Sequence, residues 1–247
     1  MIHAGGLPAF LMHKSAISAD KARRSLDFCI PQDIKCAYRG QKLRQNHERN
    51  TTMKYLNQHR YPYMLYKCDT DHPDNERLHN STFYMTACGL CCAVMVADRL
   101  LIDPRFDLVD ALQLSYDCGA NHAPGTDYKL YAPALCEKLG LRYEGTNDMA
   151  VVKRCLETGG CVVANSGGDR EGYTGVFTHG GHFICVISVR EDGKFCVLDP
   201  SQEPDKFDEP GREGKVEVDG NFIYCDGAVL AKDCENRDPG LWCFWRK

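Results

Sequence analysis

Three residues, set in a fixed order, carry the chemistry this sequence can do. Cys88 heads the run Cys88-Gly89-Leu90-Cys91-Cys92-Ala93-Val94-Met95, which continues apolar to Asp98 and holds no proline. Such a run predicts a helix, and apolar residues on more than one face predict a buried one. A cysteine at a helix N-terminus feels the positive end of the dipole, which favours thiolate over thiol. The free first-turn N–H groups could hold the oxyanion formed when that thiolate attacks a carbonyl. Thr86 is the expected N-cap, its hydroxyl accepting one of those N–H groups. Far downstream, His182 follows Gly180-Gly181, where small residues let a substrate backbone approach, and opens an apolar run. Asp199 closes the next such run, just before Pro200, and Glu191-Asp192-Gly193-Lys194 between the two is a good hairpin turn. Near the open end of adjacent antiparallel strands a carboxylate can orient an imidazole. Cys88 would then be the nucleophile, His182 its proton acceptor, and Asp199 the group that fixes the imidazole tautomer.

Other readings stand beside this one. Buried cysteines are commonly inert small hydrophobes. Cys88, Cys91 and Cys92 also form a C-x-x-C-C cluster of the kind that metal and redox sites use. A tetrahedral zinc site ordinarily has a second pair at similar spacing, and no other C-x-x-C occurs in the chain. His179 is close enough in sequence to compete with His182. Asp199 before proline is also an ordinary turn opener.

These residues need elements to position them. The helix of Cys88 should end near Asp103-Pro104, since proline forbids continuation. Before it, Tyr55–Tyr63 reads as an extended segment or loop, and Lys67–Ser81 as an exposed loop. Further helices are predicted over Asp107–Asp117, Thr126–Leu139 with a break or kink at Pro133, and Asn147–Glu157. Strands are predicted at Leu141–Glu144, Cys161–Ala164, His182–Val189 and Phe195–Leu198. Lys215–Val218, Phe222–Cys225 and Leu241–Trp245 complete the set. Asn165–Gly181 holds six glycines in seventeen residues and reads as mobile. Ser201–Gly220 reads as a charged loop. Helices first and an antiparallel sheet second is an α+β arrangement.

Composition narrows the class. With 247 residues, 43% hydrophobic and 26% charged, the chain has the make-up of a soluble globular protein. A net charge of −4 gives no reason to expect nucleic acid, and no apolar run reaches the length of a membrane span. Residues 1–52 carry nine Lys/Arg against four Asp/Glu, a charge of +5 that leaves −9 for the rest. They show no sustained apolar period and read as a poorly ordered basic extension, with Met53 an alternative start. Fifteen cysteines is an odd number, so at least one thiol cannot pair within the chain. Met1–Met12 lacks the basic segment of a signal peptide, so a reducing cytoplasm with mostly free thiols is the expected setting.

At this point the residues carry a resemblance. Ala87-Cys88-Gly89-Leu90 with the run through Met95, Gly180-Gly181-His182-Phe183-Ile184 and Val197-Leu198-Asp199-Pro200 resemble the motifs of the bacteriocin-processing, double-glycine-type branch of the papain-like cysteine peptidases. The resemblance runs over residues 55–200, with Leu90 where the family often has proline. It implies a papain-like fold: an N-terminal helical lobe carrying the cysteine packed against a C-terminal antiparallel sheet carrying histidine and aspartate, within a domain of residues 53–247. It implies a glutamine upstream of the cysteine that completes the oxyanion hole. In Tyr55-Leu56-Asn57-Gln58 that residue is Gln58, with Asn57 or a backbone group as the alternative. The leading expectation is a thiol-dependent hydrolase acting on a peptide or protein substrate through Cys88, His182, Asp199 and Gln58, with no cofactor or metal. A binding module that has lost turnover and a metal or redox thiol protein are the alternatives.

Overall fold

The computed structural model describes residues 53–72, 74–100 and 105–247. The basic extension expected over residues 1–52, and the Asp103-Pro104 stop, lie outside them. Three short pieces come first: a 3-10 turn Gln58–Arg60, α1 (Glu76–His79) and α2 (Phe83–Thr86). Then follow α3 (Cys88–Arg99), α4 (Leu108–Asp117) and α5 (Tyr128–Leu139). Each of the last two begins where an aspartate caps it. Asp107 and Asp110 form a reciprocal capping box on α4, and Asp127 accepts from Lys129 N–H at the head of α5. Pro133 does not end α5. It is exposed, as is Lys129, so the carbonyl that proline leaves without a donor faces water.

The second half is a seven-stranded sheet in which every neighbouring pair is antiparallel. Its strands are β1 (Leu141–Thr146), β2 (Cys161–Ser166), β3 (His182–Val189), β4 (Phe195–Leu198), β5 (Val216–Asp219), β6 (Phe222–Cys225) and β7 (Leu241–Arg246), in spatial order β1-β7-β2-β3-β4-β6-β5. The period of two divides the apolar side chains between two layers. Val162, Ile184, Val197 and Ile223 join the core under α6 (Met149–Glu157) and α7 (Gly227–Cys234). On the other face, α3 packs against β2 and β3, and Tyr128 of α5 lies 4.6 Å from the Phe183 ring and 5.3 Å from that of Trp242. The chain is therefore α+β, with the helix of Cys88 laid against an antiparallel sheet.

Three expectations are corrected. Thr86 does not cap the cysteine helix. It already lies in α2, and its hydroxyl donates back to Thr82 O at 3.2 Å, so Ala87 joins the two helices. Lys67–Ser81 is not a wholly exposed loop, since Cys68, Asp69 and Ser81 are buried and α1 falls within it. The α7 helix was not foreseen. It also explains why Asn165–Gly181 is not loose: buried Asp233 accepts from Tyr173 OH (2.7 Å), Val176 N–H (2.9 Å) and Phe177 N–H (3.0 Å). Its carbonyl accepts from Gly167 N–H at 2.7 Å. The segment leading to His182 is thus tied down from one end of a helix. Gly168 shows why glycine is needed there: its φ is +75°, and a Cβ would come within 2.0 Å of Gly180 O.

Candidate active site

Cys88 opens α3 directly after the α2–α3 junction and is almost wholly buried. Burial works to push its thiol up. The hydrogen bond and charge of His182, with the N–H groups of Phe183 and Gly89, outweigh burial and hold the thiol below its ordinary range. Cys91 and Cys92 lie one turn on with no such partners, and burial pushes both thiols up. Among the described residues no group of three or more His, Cys, Asp or Glu is arranged to hold a metal ion, and the thirteen described cysteines are all unpaired.

The residue after Cys88 is glycine for lack of space. A Cβ on Gly89 would lie 3.0 Å from Cβ and Oγ1 of Thr126 and from the Tyr128 ring, whose hydroxyl donates to Gly89 O at 2.8 Å. Gly89→Ala is therefore expected to lose about 1–3 kcal/mol in urea unfolding, the usual cost of overpacking. An unchanged midpoint would show that the Tyr128 wall yields freely.

His182 begins β3, and Asp199 lies just past the end of β4. With Cys185 opposite Leu198, Asp199 falls on the diagonal from His182, within reach of a long side chain. The His182 Nε2 is 2.7 Å from Asp199 Oδ1 and 2.9 Å from Ser201 Oγ. Asp199 is fully buried and well supplied with donors. Ser201 N–H donates to Oδ1 at 2.8 Å, and Lys206 Nζ to Oδ2 at 2.6 Å. Burial works to lift this carboxyl, but the charges of His182 and Lys206 and their hydrogen bonds hold it far below the usual carboxylate range. Burial likewise works to lower His182, yet the charges and hydrogen bonds of Asp199 and then Cys88 win, and the imidazole is raised to about 9.

Gln58 ties the two halves together. Its backbone N–H donates to Pro200 O at 2.7 Å, beside Asp199, and its Nε2 donates to Tyr84 O at 2.9 Å, four residues before Cys88. Its Oε1 is buried with no hydrogen-bond partner. Asn57, the neighbouring alternative, is occupied otherwise: its amide donates to Gln202 O and its Oδ1 caps His59 N–H. His179 is spent on Asp169 and Glu209, one on each ring nitrogen, and is more than half exposed.

Tyr55, Ser201 and Lys206 were missed in the sequence. Tyr55 OH donates to Asp199 O at 2.8 Å. Ser201 directly follows Asp199-Pro200, which was a usable signal; nothing marked Lys206 within its charged stretch. Chemically, the arrangement offers a thiol, an imidazole between that thiol and a carboxylate, and N–H donors at a helix N-terminus.

No protein-family model matches the chain. No curated protein sequence matches it either. Among solved structures, a provisionally assigned C39-like peptidase from Bacillus anthracis aligns over 79% of this chain and 96% of its own, with 10% identity and a TM-score of 0.46. Among the described residues no helix is long and apolar enough to cross a membrane.

Proposed function

We propose that this chain is a thiol-dependent hydrolase of the cysteine-peptidase type, cleaving a peptide or amide bond with residues 53–247 as a papain-like domain. The observation that carries this reading is the buried His182 imidazole, hydrogen-bonded on Nε2 to Asp199, at the start of the strand against which the helix of Cys88 packs. With Nε2 bonded to Asp199, Nδ1 is the nitrogen left to take the thiol proton. The resting site is then a thiolate–imidazolium pair. The thiolate attacks the scissile carbonyl, and the oxyanion is met by the amide of Gln58 and first-turn N–H groups of α3. His182 gives its proton to the leaving amine as the C–N bond breaks. It then takes a proton from water, whose oxygen attacks the thioester, releasing the acid and regenerating Cys88. Asp199 holds the ring and stabilises its charge throughout. Unpaired thiols favour a reducing cytoplasm as the working compartment.

Competitive labelling tests the reading. Accessibility alone would make half-buried Cys118 react before Cys88. Ionisation orders them the other way, because burial raises Cys118 while His182 lowers Cys88. Limiting iodoacetamide near pH 7, followed by mass mapping, is expected to modify Cys88 first among the thirteen described thiols. An electrophilic peptide library should label the same residue, and Cys88→Ala should abolish both that labelling and cleavage of any peptide so found. First modification at Cys118 would sink the nucleophile assignment.

A further inference from the structure

Lys206 is the group whose presence the reaction scheme does not require. Its Nζ lies 2.6 Å from Asp199 Oδ2, 2.8 Å from Ser201 Oγ and 3.4 Å from Ser201 O, with the side chain 11% exposed and Asp199 not exposed at all. A long cation placed there loses rotamer freedom and much of its hydration, so the pair must return something in exchange. Ser201 sits between the two charges: its hydroxyl donates to Asp199 Oδ1 at 3.2 Å, while its oxygen lies within bonding distance of both Lys206 Nζ and His182 Nε2. The carboxylate's two oxygens are thus divided, Oδ1 toward the imidazole and Oδ2 toward the ammonium.

We propose that Lys206 is a positioning residue that balances the charge of Asp199, so that His182 rests on an overall neutral Asp199–Lys206 pair rather than on a bare buried carboxylate. A bare carboxylate beside an imidazole favours the imidazolium so strongly that the ring resists giving its proton up. A cation on the far oxygen offsets that pull while leaving the carboxylate free to accept the Nε2 proton. The arrangement keeps the orienting power of an acceptor while tempering the field of the carboxylate. The same cation also favours the thiolate of Cys88, so both members of the couple are held ionised or poised at lower pH than Asp199 alone would set. The other titratable groups facing this cluster are His59, paired with Glu203 at 2.7 Å and held low chiefly by burial, Tyr55 beside Asp199, and the buried thiols of Cys91 and Cys92. None of these supplies a balancing positive charge near neutral pH.

This inference rests on the thiolate–imidazolium reading of Cys88 and His182, and the test separates the two. The measurement is the rate of Cys88 alkylation by iodoacetamide against pH, with thermal melts, for the wild type and four variants. Lys206→Met and Lys206→Gln are expected to move both inflections of the profile upward by roughly 1 pH unit, the scale on which a buried unit charge acts at this range. Lys206→Gln keeps a donor toward Oδ2, so its shift reports charge rather than a lost hydrogen bond, and it decides the matter if the methionine variant does not fold. Lys206→Arg is expected to keep the wild-type profile. Asp199→Asn combined with Lys206→Gln is expected to bring both inflections below those of Lys206→Gln alone, because the charge that Lys206 offsets is removed as well. Variants that melt lower while their profiles coincide with the wild type would overturn the charge-balancing role and leave the thiolate–imidazolium reading intact. A wild-type profile in which Cys88 titrates as an ordinary thiol would overturn both.

Discussion

Replacing His182 by alanine is expected to slow alkylation of Cys88 by roughly a hundredfold near pH 6 and to raise the ionisation of its thiol above the ordinary range. The causes that lower this thiol are led by the His182 hydrogen bond and charge; without them burial dominates, as it already does at Cys91 and Cys92. The substitution should also change how stability depends on pH. His182 is raised from 6.5 to about 9 in the folded protein, so the folded state binds its proton more tightly than the unfolded one. The stability this contributes is full below pH 6.5 and is lost as pH rises through about 9. Urea midpoints of the wild type should therefore fall between those values, and His182→Ala should lack that fall. A histidine acting only as packing would leave the alkylation profile of Cys88 where it was.

The largest loss of stability is expected from Asp233→Ala, at about 3–5 kcal/mol. The carboxylate accepts from the buried N–H groups of Val176 and Phe177, and also from the Tyr173 hydroxyl. Each buried donor left without an acceptor costs about 1–3 kcal/mol. Asp233→Asn should lose about half as much, because its amide oxygen can still serve one side. Since the tethered segment runs straight into His182, Asp233→Ala should also broaden the pH profile of Cys88 alkylation. A loss below about 1 kcal/mol would show that the segment is held by the packing of Val176 and Phe177 instead.

What could be read from the sequence depended on whether the cause was local. The α3, β3 and β4 elements are sustained apolar runs bounded by a turn, a glycine pair and a proline, so period and punctuation were enough. The proximity of His182 and Asp199 followed from the hairpin between them. Gln58 was reachable only through resemblance, because what draws it in is a carbonyl, Pro200 O, from the other end of the domain. Lys206 and Asp233 were not legible at all. Each sits among other charged residues, and the property that matters, burial against one specific partner, leaves no mark on neighbouring positions. Thr86 was misread for a related reason. A threonine before an apolar run is a cap only when the chain ahead of it is extended, and here it is another helix.

The place of β7 in the sheet has a consequence for the order in which the molecule can assemble. β7 follows every other strand in sequence, yet it lies between β1 and β2 and is hydrogen-bonded to both. Until Leu241–Arg246 docks, β1 has no partner and β2 presents the apolar stretch Cys161–Ala164 as an open edge. Closing that gap joins residues far apart along the chain, which slows folding. A nascent chain would therefore carry an unprotected edge from the emergence of β2 until that of β7, a template for joining a second chain. Trp242 packs at a tilt against Tyr128, the residue that walls in Gly89, so the last strand to arrive also completes the support behind Cys88. The thiol acquires its finished surroundings only once the sheet is whole.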